Sequence, residues 1–216
     1  MSKQFDWKYG RSWEKFPIVP GQKWVDQFGS TLSVADITKH IPDFMLVADL
    51  VYCDPPWNLG NVNGFITKNG GQDHLSSFED FYKHLFNGIQ LMSPKVCYLE
   101  IGKQYVETFR NQLQAYYPFV QIWPITYYKK HLSYLLRGGE FPSNHSFTGL
   151  DDSITPMKAI ETEKCTIVGD LCTGRGLTAI SAVKAKKVFV GTELNPRRMA
   201  VTIEKMTKAG SKFIIE

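Results

Sequence analysis

The residues best suited to chemistry stand in one short run, Asp54-Pro55-Pro56-Trp57. Residues 45–52 precede the run, and their almost wholly apolar character predicts a strand buried in a sheet. The two prolines lack backbone N–H groups and cannot continue a hydrogen-bonded ladder, so the strand must end there. This places a carboxylate and an indole at the carboxyl end of a strand, the edge where open α/β sheets bind ligands.

This corner fits group transfer to the exocyclic amine of a flat base. Such an amine is a poor nucleophile because its lone pair is delocalised into the ring. Asp54 and the Pro55 carbonyl can each accept one amino hydrogen, which would draw the nitrogen toward tetrahedral geometry and free the lone pair. Trp57 can stack on the base, a contact worth about 1–3 kcal/mol. A strand-end turn capped by an aspartate is the other interpretation of these residues.

A second pattern lies between residues 166 and 193, where strand, aspartate, Gly-x-Gly, helix, strand and acidic residue follow one another. This order is typical of a nucleotide-binding βαβ unit. Gly174 and Gly176 allow a tight turn and close approach to a ligand, and Glu193 can bind both ribose hydroxyls. Asp170 would repel a pyrophosphate but suits a cation such as the amino group of a methionine moiety, which disfavours a dinucleotide. The alternative is a tight turn that binds no ligand.

Both patterns resemble motifs of the S-adenosylmethionine-dependent amino-methyltransferases that act on adenine N6 or cytosine N4. Residues 54–57 resemble their catalytic tetrapeptide, and residues 170–178 resemble their Asp-Pro-Phe-x-Gly-x-Gly-Thr-Thr loop. Residues 193–196 are similar to their Glu-Leu-Asn-Pro segment, and Asp36 resembles an aspartate whose carboxylate meets the cofactor. The catalytic tetrapeptide precedes the cofactor loop, as in the permuted β group of DNA amino-methyltransferases. The resemblance covers about residues 31–200.

The resemblance implies an α/β fold with a doubly wound, mostly parallel, seven-stranded Rossmann-like methyltransferase sheet that is circularly permuted. It implies methyl transfer from S-adenosylmethionine to adenine N6 in DNA, with the base flipped from the duplex or taken from a single strand. The implied catalytic residues are Asp54, Pro55, Pro56 and Trp57. The implied cofactor-binding residues are Asp36, Asp170, Cys172, Gly174, Gly176, Thr178, Glu193 and Asn195.

Three alternatives to this function stay open: an RNA adenine amine, a DNA cytosine amine, and a non-catalytic subunit of the same fold. Within the family an aspartate at position 54 favours adenine over cytosine. Intact Asp54 and Glu193 argue against a non-catalytic subunit. The cofactor loop is unlike that of eukaryotic messenger-RNA adenine methyltransferases, which share the catalytic tetrapeptide.

The sequence departs from the family at two places. Ile154-Thr-Pro-Met-Lys158 occupies the position of a helix start that usually contains Lys-Pro, and only residues 138–152 are left for target recognition. We therefore expect low sequence specificity, or specificity supplied by residues 58–77, the N-terminal arm or a partner, with a homodimer as one arrangement. The compact size suggests a phage-type or orphan enzyme by analogy.

The chain divides by composition into an arm, residues 1–30, and one methyltransferase domain, residues 31–216. The domain has a catalytic half (31–152) and a cofactor half (153–216). The arm is rich in aromatic and basic residues, including Trp7, Trp13 and Trp24. It is interpreted either as a strap whose aromatic rings dock on the core or as an arm that contacts nucleic acid or a second subunit.

Periodicity and turn residues predict the elements of the domain. The predicted strands are 31–36, 45–53, 95–101, 119–128, 133–136, 166–170 and 188–193, with a short edge strand at 212–216. The predicted helices are 78–92, 104–116, 153–163, 179–185 and 197–208. The glycine-rich stretch 58–77 is predicted to be a mobile flap without secondary structure, over the substrate.

Four basic residues are candidates for contacts with nucleic-acid phosphates: Lys68, Lys129, Lys130 and Arg137. The other interpretation of the 129–137 region is a solvated loop that carries some charge. Phosphate contacts need only lysine and arginine on the correct edge of the fold.

Composition limits the class of protein. With 216 residues, 43% of them hydrophobic, the chain is sized for one well-packed domain. A net charge of +4 permits nucleic-acid binding without demanding it. The four cysteines form no Cys-x-x-Cys pair and are expected to be reduced and buried in a cytoplasmic protein, and the five scattered histidines predict no metal site. No signal core or membrane-spanning run is seen, so no membrane partner is expected.

Overall fold

The computed structural model describes residues 10–216, and its framework is a single sheet with helices on both faces. The strands are β1 (Lys23–Asp26), β2 (Thr31–Val34), β3 (Leu50–Cys53), β4 (Val96–Ile101), β5 (Phe119–Tyr127), β6 (His131–Gly139), β7 (Ile167–Asp170), β8 (Val188–Glu193) and β9 (Phe213–Ile215). The helices are α1 (Ser12–Lys15), α2 (Leu59–Lys68), α3 (Phe78–Met92), α4 (Val106–Gln114), α5 (Thr155–Thr162), α6 (Leu177–Lys184) and α7 (Pro196–Lys208). Two 3-10 turns span Asp43–Val47 and Lys103–Tyr105.

The strand order across the sheet is β5-β6-β4-β3-β7-β8-β2-β1-β9. The five central strands, β4, β3, β7, β8 and β2, pair in parallel, whereas every pairing outside them is antiparallel. The sheet is therefore mixed, and the predicted α/β class is confirmed. The predicted number of seven strands is wrong, because the sheet has nine.

The extra strand β1 comes from the arm, where prolines and a glycine had argued only against a helix. It turns back onto β2 through residues 27–30, and the Asp26 side chain accepts hydrogen bonds from the Phe28 and Ser30 amides at 2.9 and 2.8 Å. Trp24 is buried on β1 between the rings of Phe16 and Phe213, with centroids 6.0 and 6.4 Å away. The described part of the arm thus packs on the core, and Trp7 lies outside the described residues.

The alternation of side chains along the strands divides the core between the two faces of the sheet. On β3, Val51 and Cys53 belong to one cluster of buried residues, and Leu50 and Tyr52 belong to the other. Helices α2, α3 and α4 contribute to the first cluster, whereas α5, α6 and α7 contribute to the second. Helices on both faces are the reason why the central strands are apolar on both sides.

The stretch 58–77, predicted to lack secondary structure, contains helix α2. Asn58 caps the helix by accepting a hydrogen bond from the Asn61 amide at 2.9 Å, and Val62 is buried beneath it. Farther along, the Asn63 side chain is joined to the Leu75 backbone by two hydrogen bonds of 2.9 and 3.1 Å. A cap and a tertiary contact therefore override the low helix propensity of the glycines.

Two strand boundaries also differ from the prediction. The run predicted to be strand from residue 45 begins with a 3-10 turn, and Leu46 and Val47 are 44% and 55% exposed rather than buried. Strand β6 continues through two glycines that were expected to close it. A Cβ on Gly138 would lie 2.3 Å from the ring of Tyr117, so the glycine allows the strand to pass beneath this ring.

The cysteines carry free thiols. Cys53, Cys97 and Cys165 are buried as predicted, but Cys172 is only partly buried. Within residues 10–216, no group of three or more His, Cys, Asp or Glu side chains could hold a metal ion. Across the same residues, no helix has both the length and the apolar character needed to cross a membrane.

The helical state of α2 can be tested with two glycine substitutions. Gly64→Ala should stabilise the fold by about 0.5–1 kcal/mol, because Gly64 is inside the helix and a Cβ there meets nothing within 4 Å. Gly70→Ala should destabilise it by about 1–2 kcal/mol, because Gly70 has φ +82°. Thermal unfolding measures both, and an unchanged midpoint for Gly64→Ala would contradict the helix.

Candidate active site

Acidic residues gather at one edge of the sheet because the five central strands are parallel. Each strand carries one within two residues of its carboxyl end: Asp36 after β2, Asp54 after β3, Glu100 in β4, Asp170 in β7 and Glu193 in β8. Two cavities of about 280 and 520 Å³ open at this edge. Both are lined by Asp54, Tyr127, Cys172 and Arg198, so they meet at the catalytic corner predicted from the sequence.

The Asp54–Trp57 corner is held in one arrangement by three contacts of the indole. The Trp57 Nε1–H donates to Asp54 Oδ1 at 3.0 Å, and the Trp57 ring packs against Tyr127 with centroids 4.7 Å apart. A Cβ on Gly102, directly after β4, would lie 3.0 Å from the indole, so this glycine permits the close approach. Pro55 and Pro56 line the first cavity beside them.

The first cavity brings together three of the predicted cofactor-binding residues, Asp36, Cys172 and Glu193. Glu193 is fixed by two backbone amides, since Oε2 accepts from Gly174 N at 2.8 Å and Oε1 from Asn195 N at 2.9 Å. Asp36 Oδ1 accepts from the amide and hydroxyl of Thr38 at 3.0 and 2.7 Å. Side chains from α2, including Val62 and Phe65, form an apolar wall of the same cavity.

The second cavity contains the glycine loop, with Asp170, Cys172, Gly174 and Thr178 among its lining residues. Asp170 is 2% exposed, and its Oδ1 accepts from the Cys172 amide at 2.9 Å. Gly174 has φ +59° and passes close to the Arg198 guanidinium, which lies 2.9 Å from the position of a Cβ. The absence of a side chain at Gly174 therefore allows the Arg198 guanidinium to lie against the loop backbone, at the edge of the cavity.

The site raises the pKa of its carboxyl groups. Asp54 is open to solvent, but the walls of the cleft displace much of its hydration and raise its pKa to about 6, against the effect of the Trp57 hydrogen bond. Burial raises the pKa of Asp170 to about 7 and that of Glu193 above its ordinary value. A cation bound between these groups would favour their ionised forms, so the cleft is suited to a positively charged ligand.

Two predicted cofactor ligands do not line either cavity. Gly176 has φ +78°, and a Cβ there would meet Thr202 at 2.8 Å, so this glycine serves the turn into α6. Asn195 is buried and caps α7, since its Oδ1 accepts from the Arg197 and Arg198 amides at 2.9 and 3.3 Å. Both residues therefore support the loops and helices that form the site and do not line its cavities.

The structure separates the four basic residues predicted to face phosphates. Lys129 lines the second cavity, Lys130 is exposed beside it, and Lys68 is exposed at the end of α2, 5.4 Å from the centroid of the Phe65 ring. Arg137 contradicts the prediction, because it is 4% exposed and its Nε lies 2.7 Å from Glu163 Oε1. Its place in β6 turns the side chain into the core rather than toward solvent.

Sequence reasoning missed several side chains of the site. Arg198 lines both cavities, with Nε 3.9 Å from Glu193 Oε2 and the guanidinium 4.7 Å from the centroid of the Phe65 ring. Tyr127 also lines both cavities, and Asp152 and Glu100 line the second. The one available signal in the sequence was Glu100, a lone acidic residue inside an apolar strand. Burial of an unpaired carboxylate destabilises the fold, so such a residue is expected to have a partner or to be kept for a function.

No family model and no curated protein sequence matches the chain. Solved structures do match its fold. M1.HpyAVI has a TM-score of 0.57 at 15% identity and covers 81% of this chain and 97% of its own. TTHA0409 of Thermus thermophilus, assigned as a DNA modification methylase, has a TM-score of 0.57 at 16% identity and covers 82% and 94%.

A third match is the PvuII DNA methyltransferase, which is cytosine-N4-specific, with a TM-score of 0.51 at 10% identity and coverage of 82% and 86%. M1.HpyAVI and TTHA0409 are also known as complexes with S-adenosylmethionine. At these identities the similarities show the fold. The α/β architecture and its mixed sheet are those of a methyltransferase fold.

The buried Asp170 carboxyl should reduce stability at neutral pH. Because its pKa rises from an ordinary value near 4 to about 7 on folding, ionisation costs stability as the pH rises through this window. Asp170→Asn keeps an oxygen acceptor for the Cys172 amide and removes this cost. Its unfolding midpoint should exceed that of the wild type by at least about 3 °C at pH 8, with a smaller difference at pH 5.

The control is Asp43→Asn, at an exposed aspartate outside both cavities, which should leave the unfolding midpoint close to that of the wild type. Equal midpoints for Asp170→Asn and the wild type at both pH values would show that Asp170 is not desolvated.

Proposed function

We propose that the protein transfers a methyl group from S-adenosylmethionine to the exocyclic N6 amine of adenine in DNA. The observation that carries the proposal is the meeting of two cavities at Asp54. The corner with Asp54 and Trp57 lies at this junction, Glu193 lines the first cavity, and the glycine loop lines the second. The similarity of the fold to DNA methyltransferases supports the same conclusion.

The two cavities divide the groups that would hold S-adenosylmethionine. Asp36 and Glu193 in the first cavity offer carboxylates to a nucleoside, and the amide-fixed Glu193 suits ribose hydroxyls. Asp170 in the second cavity offers a carboxylate to the methionine ammonium, beside Gly174 and Thr178. The known complexes of M1.HpyAVI and TTHA0409 with S-adenosylmethionine support this choice of cofactor.

The chemistry supplied by S-adenosylmethionine is a methyl group on a sulfonium. Asp54 accepts one hydrogen of the target amine and the Pro55 carbonyl accepts the other, which frees the nitrogen lone pair. Trp57, held by its hydrogen bond to Asp54, provides an aromatic face for the base. Because a sulfonium charge disappears in the reaction, alignment and placement of charge are the main contributions of the protein.

We further propose that the chain belongs to the permuted group of DNA amino-methyltransferases, with one domain over residues 31–216. The catalytic corner follows β3, and the glycine loop follows β7, which comes later in the chain. This order supports the permuted connectivity. The target base must leave the duplex or come from a single strand to reach Asp54, at a cost of a few kcal/mol.

Cytosine N4 in DNA is a second candidate amine, favoured by the structural similarity to the cytosine-N4-specific PvuII enzyme. Its exocyclic amine would make the same two hydrogen bonds with Asp54 and the Pro55 carbonyl. The resemblance of the Asp54 tetrapeptide favours adenine, so the methylated product distinguishes the two.

Methyl transfer can be measured with labelled S-adenosylmethionine and duplex DNA, single-stranded DNA or RNA as acceptors. The wild type should produce N6-methyladenine in DNA. Asp54→Ala should lower the rate at least about a hundredfold, since it removes the charged acceptor that activates the target amine. Its affinity for S-adenosylmethionine, measured by calorimetry, should change little.

The matched control, Asp43→Ala, removes an exposed aspartate outside both cavities and should leave the rate unchanged. If the product were N4-methylcytosine, the target amine would be that of cytosine and not that of adenine. Cofactor binding without transfer to any of the three polymers would contradict the proposed function.

The rate of methyl transfer should depend on the ionisation of Asp54. Its carboxylate form is the stronger acceptor for an amino hydrogen and carries the charge that activates the amine, and its pKa is about 6. The carboxylate forms as the pH rises, so the rate should be level well above pH 6 and fall about tenfold per pH unit below it. Single-turnover rates between pH 4.5 and 8 test this, with circular dichroism confirming the fold at each pH; a level rate to pH 5 would contradict it.

A further inference from the structure

Glu100 is a buried carboxyl group, and one of its oxygens has no hydrogen-bond partner among the described residues. It lies in β4 with 2% of its surface exposed, and Oε1 accepts hydrogen bonds from the hydroxyls of Tyr52 and Thr155, the latter at 2.9 Å. Among residues 10–216, Oε2 has no hydrogen-bond partner, and Glu100 is the one acidic residue with such an orphaned buried atom. A buried polar atom without a hydrogen bond destabilises the fold unless a ligand supplies the missing partner.

The pairing of β3 with β4 places Glu100 beside Asp54. Tyr52 is in register with Tyr98 and Cys53 with Leu99, so the next step along the parallel strands brings Asp54 and Glu100 side by side on the same face. Neighbouring strands are about 4.8 Å apart. Both carboxyl groups line the second cavity.

The surroundings of Glu100 favour its neutral form. Burial and the neighbouring Asp54 raise its pKa well above the ordinary value, Asp152 adds to the rise, and hydrogen bonds from Tyr52 and Thr155 oppose it. Two carboxyl groups this close do not readily ionise together. Since Oε1 already accepts two hydrogen bonds, the proton belongs on Oε2, where it forms an O–H donor that lacks an acceptor.

An acceptor carboxylate beside a donor carboxylic acid matches one edge of two bases. Adenine presents its N6 amine next to the acceptor N1, and cytosine presents its N4 amine next to the acceptor N3. Guanine and thymine present the opposite order, a carbonyl next to a ring N–H. Enzymes that take a base out of the stack read this edge by hydrogen bonding.

We propose, on the basis of the proposed function, that Glu100 is a base-recognition residue. Its Oε2–H donates to the ring nitrogen next to the amine that Asp54 binds. The pair admits adenine and cytosine and excludes guanine and thymine, whose ring N–H would meet the Glu100 donor. Choice between adenine and cytosine then depends on the shape of the cavity.

The test replaces the proposed acceptor atom in the substrate. Rates of transfer, as kcat/KM, are compared for matched DNAs with adenine or 1-deazaadenine, which keeps the 6-amino group and lacks N1. The kcat/KM of the wild type should be about ten- to a hundredfold lower with 1-deazaadenine, because the buried Glu100 donor would then have no acceptor. If cytosine is the target, cytosine and 3-deazacytosine form the equivalent pair.

Two variants connect the loss to Glu100. Glu100→Met removes the donor and should methylate both DNAs at similar rates. Glu100→Gln keeps an N–H donor and an acceptor for Tyr52 and Thr155, and it should discriminate as the wild type does.

Equal rates for the two DNAs in the wild type would overturn the role of Glu100, and this comparison needs no variant to fold. Undiminished discrimination by Glu100→Met would overturn it as well. Absence of transfer to ordinary DNA is a different result, because it would overturn the proposed function and, with it, this role.

Discussion

The parallel pairing of β2, β3, β4, β7 and β8 is the constraint on which the site depends. It directs five carboxyl ends to one edge of the sheet, where each strand carries an acidic residue. Burial removes their hydration and so raises the pKa values of Asp54, Glu100, Asp170 and Glu193, and neighbouring carboxylates add to the rise for the first three. The fold therefore holds an arrangement of carboxyl groups that is unfavourable by itself and favourable with a cationic ligand.

Local hydrogen bonds and the guanidinium of Arg198 reduce the free-energy cost of placing these carboxyl groups together. Backbone amides of the glycine loop and of Asn195 hold Glu193, and the Trp57 indole holds Asp54. Arg198 lies at the junction of the two cavities and lowers the pKa of both Asp54 and Glu193. Its contact with the Phe65 ring connects α7 to α2, so the side chain that balances the charge also touches the apolar wall of the first cavity.

Two acidic residues in neighbouring strands show how a structural carboxylate differs from a functional one. At the amino end of β3, Asp49 accepts hydrogen bonds from the Thr166 amide and hydroxyl and from the Ile167 amide, and both of its oxygens are used. Asp49 therefore holds the start of β7 in place, and its carboxylate requires no further hydrogen-bond donor. Glu100, near the opposite ends of the strands, has one oxygen saturated and the other without a partner in the described part of the chain. Satisfaction of the hydrogen-bonding capacity, rather than burial alone, separates the two.

Features that depend on residues adjacent in the chain could be predicted from the sequence. The Asp54–Trp57 corner, the glycine turn at Gly174 and Gly176, and the α/β class follow from local residue types and periodicity, since prolines and glycines act on the backbone at their own positions. Long-range packing, in contrast, makes α2 a helix, buries Arg137 and adds a strand from the arm. It also decided that Glu100 and Arg198 belong to the site. These outcomes depend on strand register and on contacts between residues far apart in the chain, which no local pattern encodes.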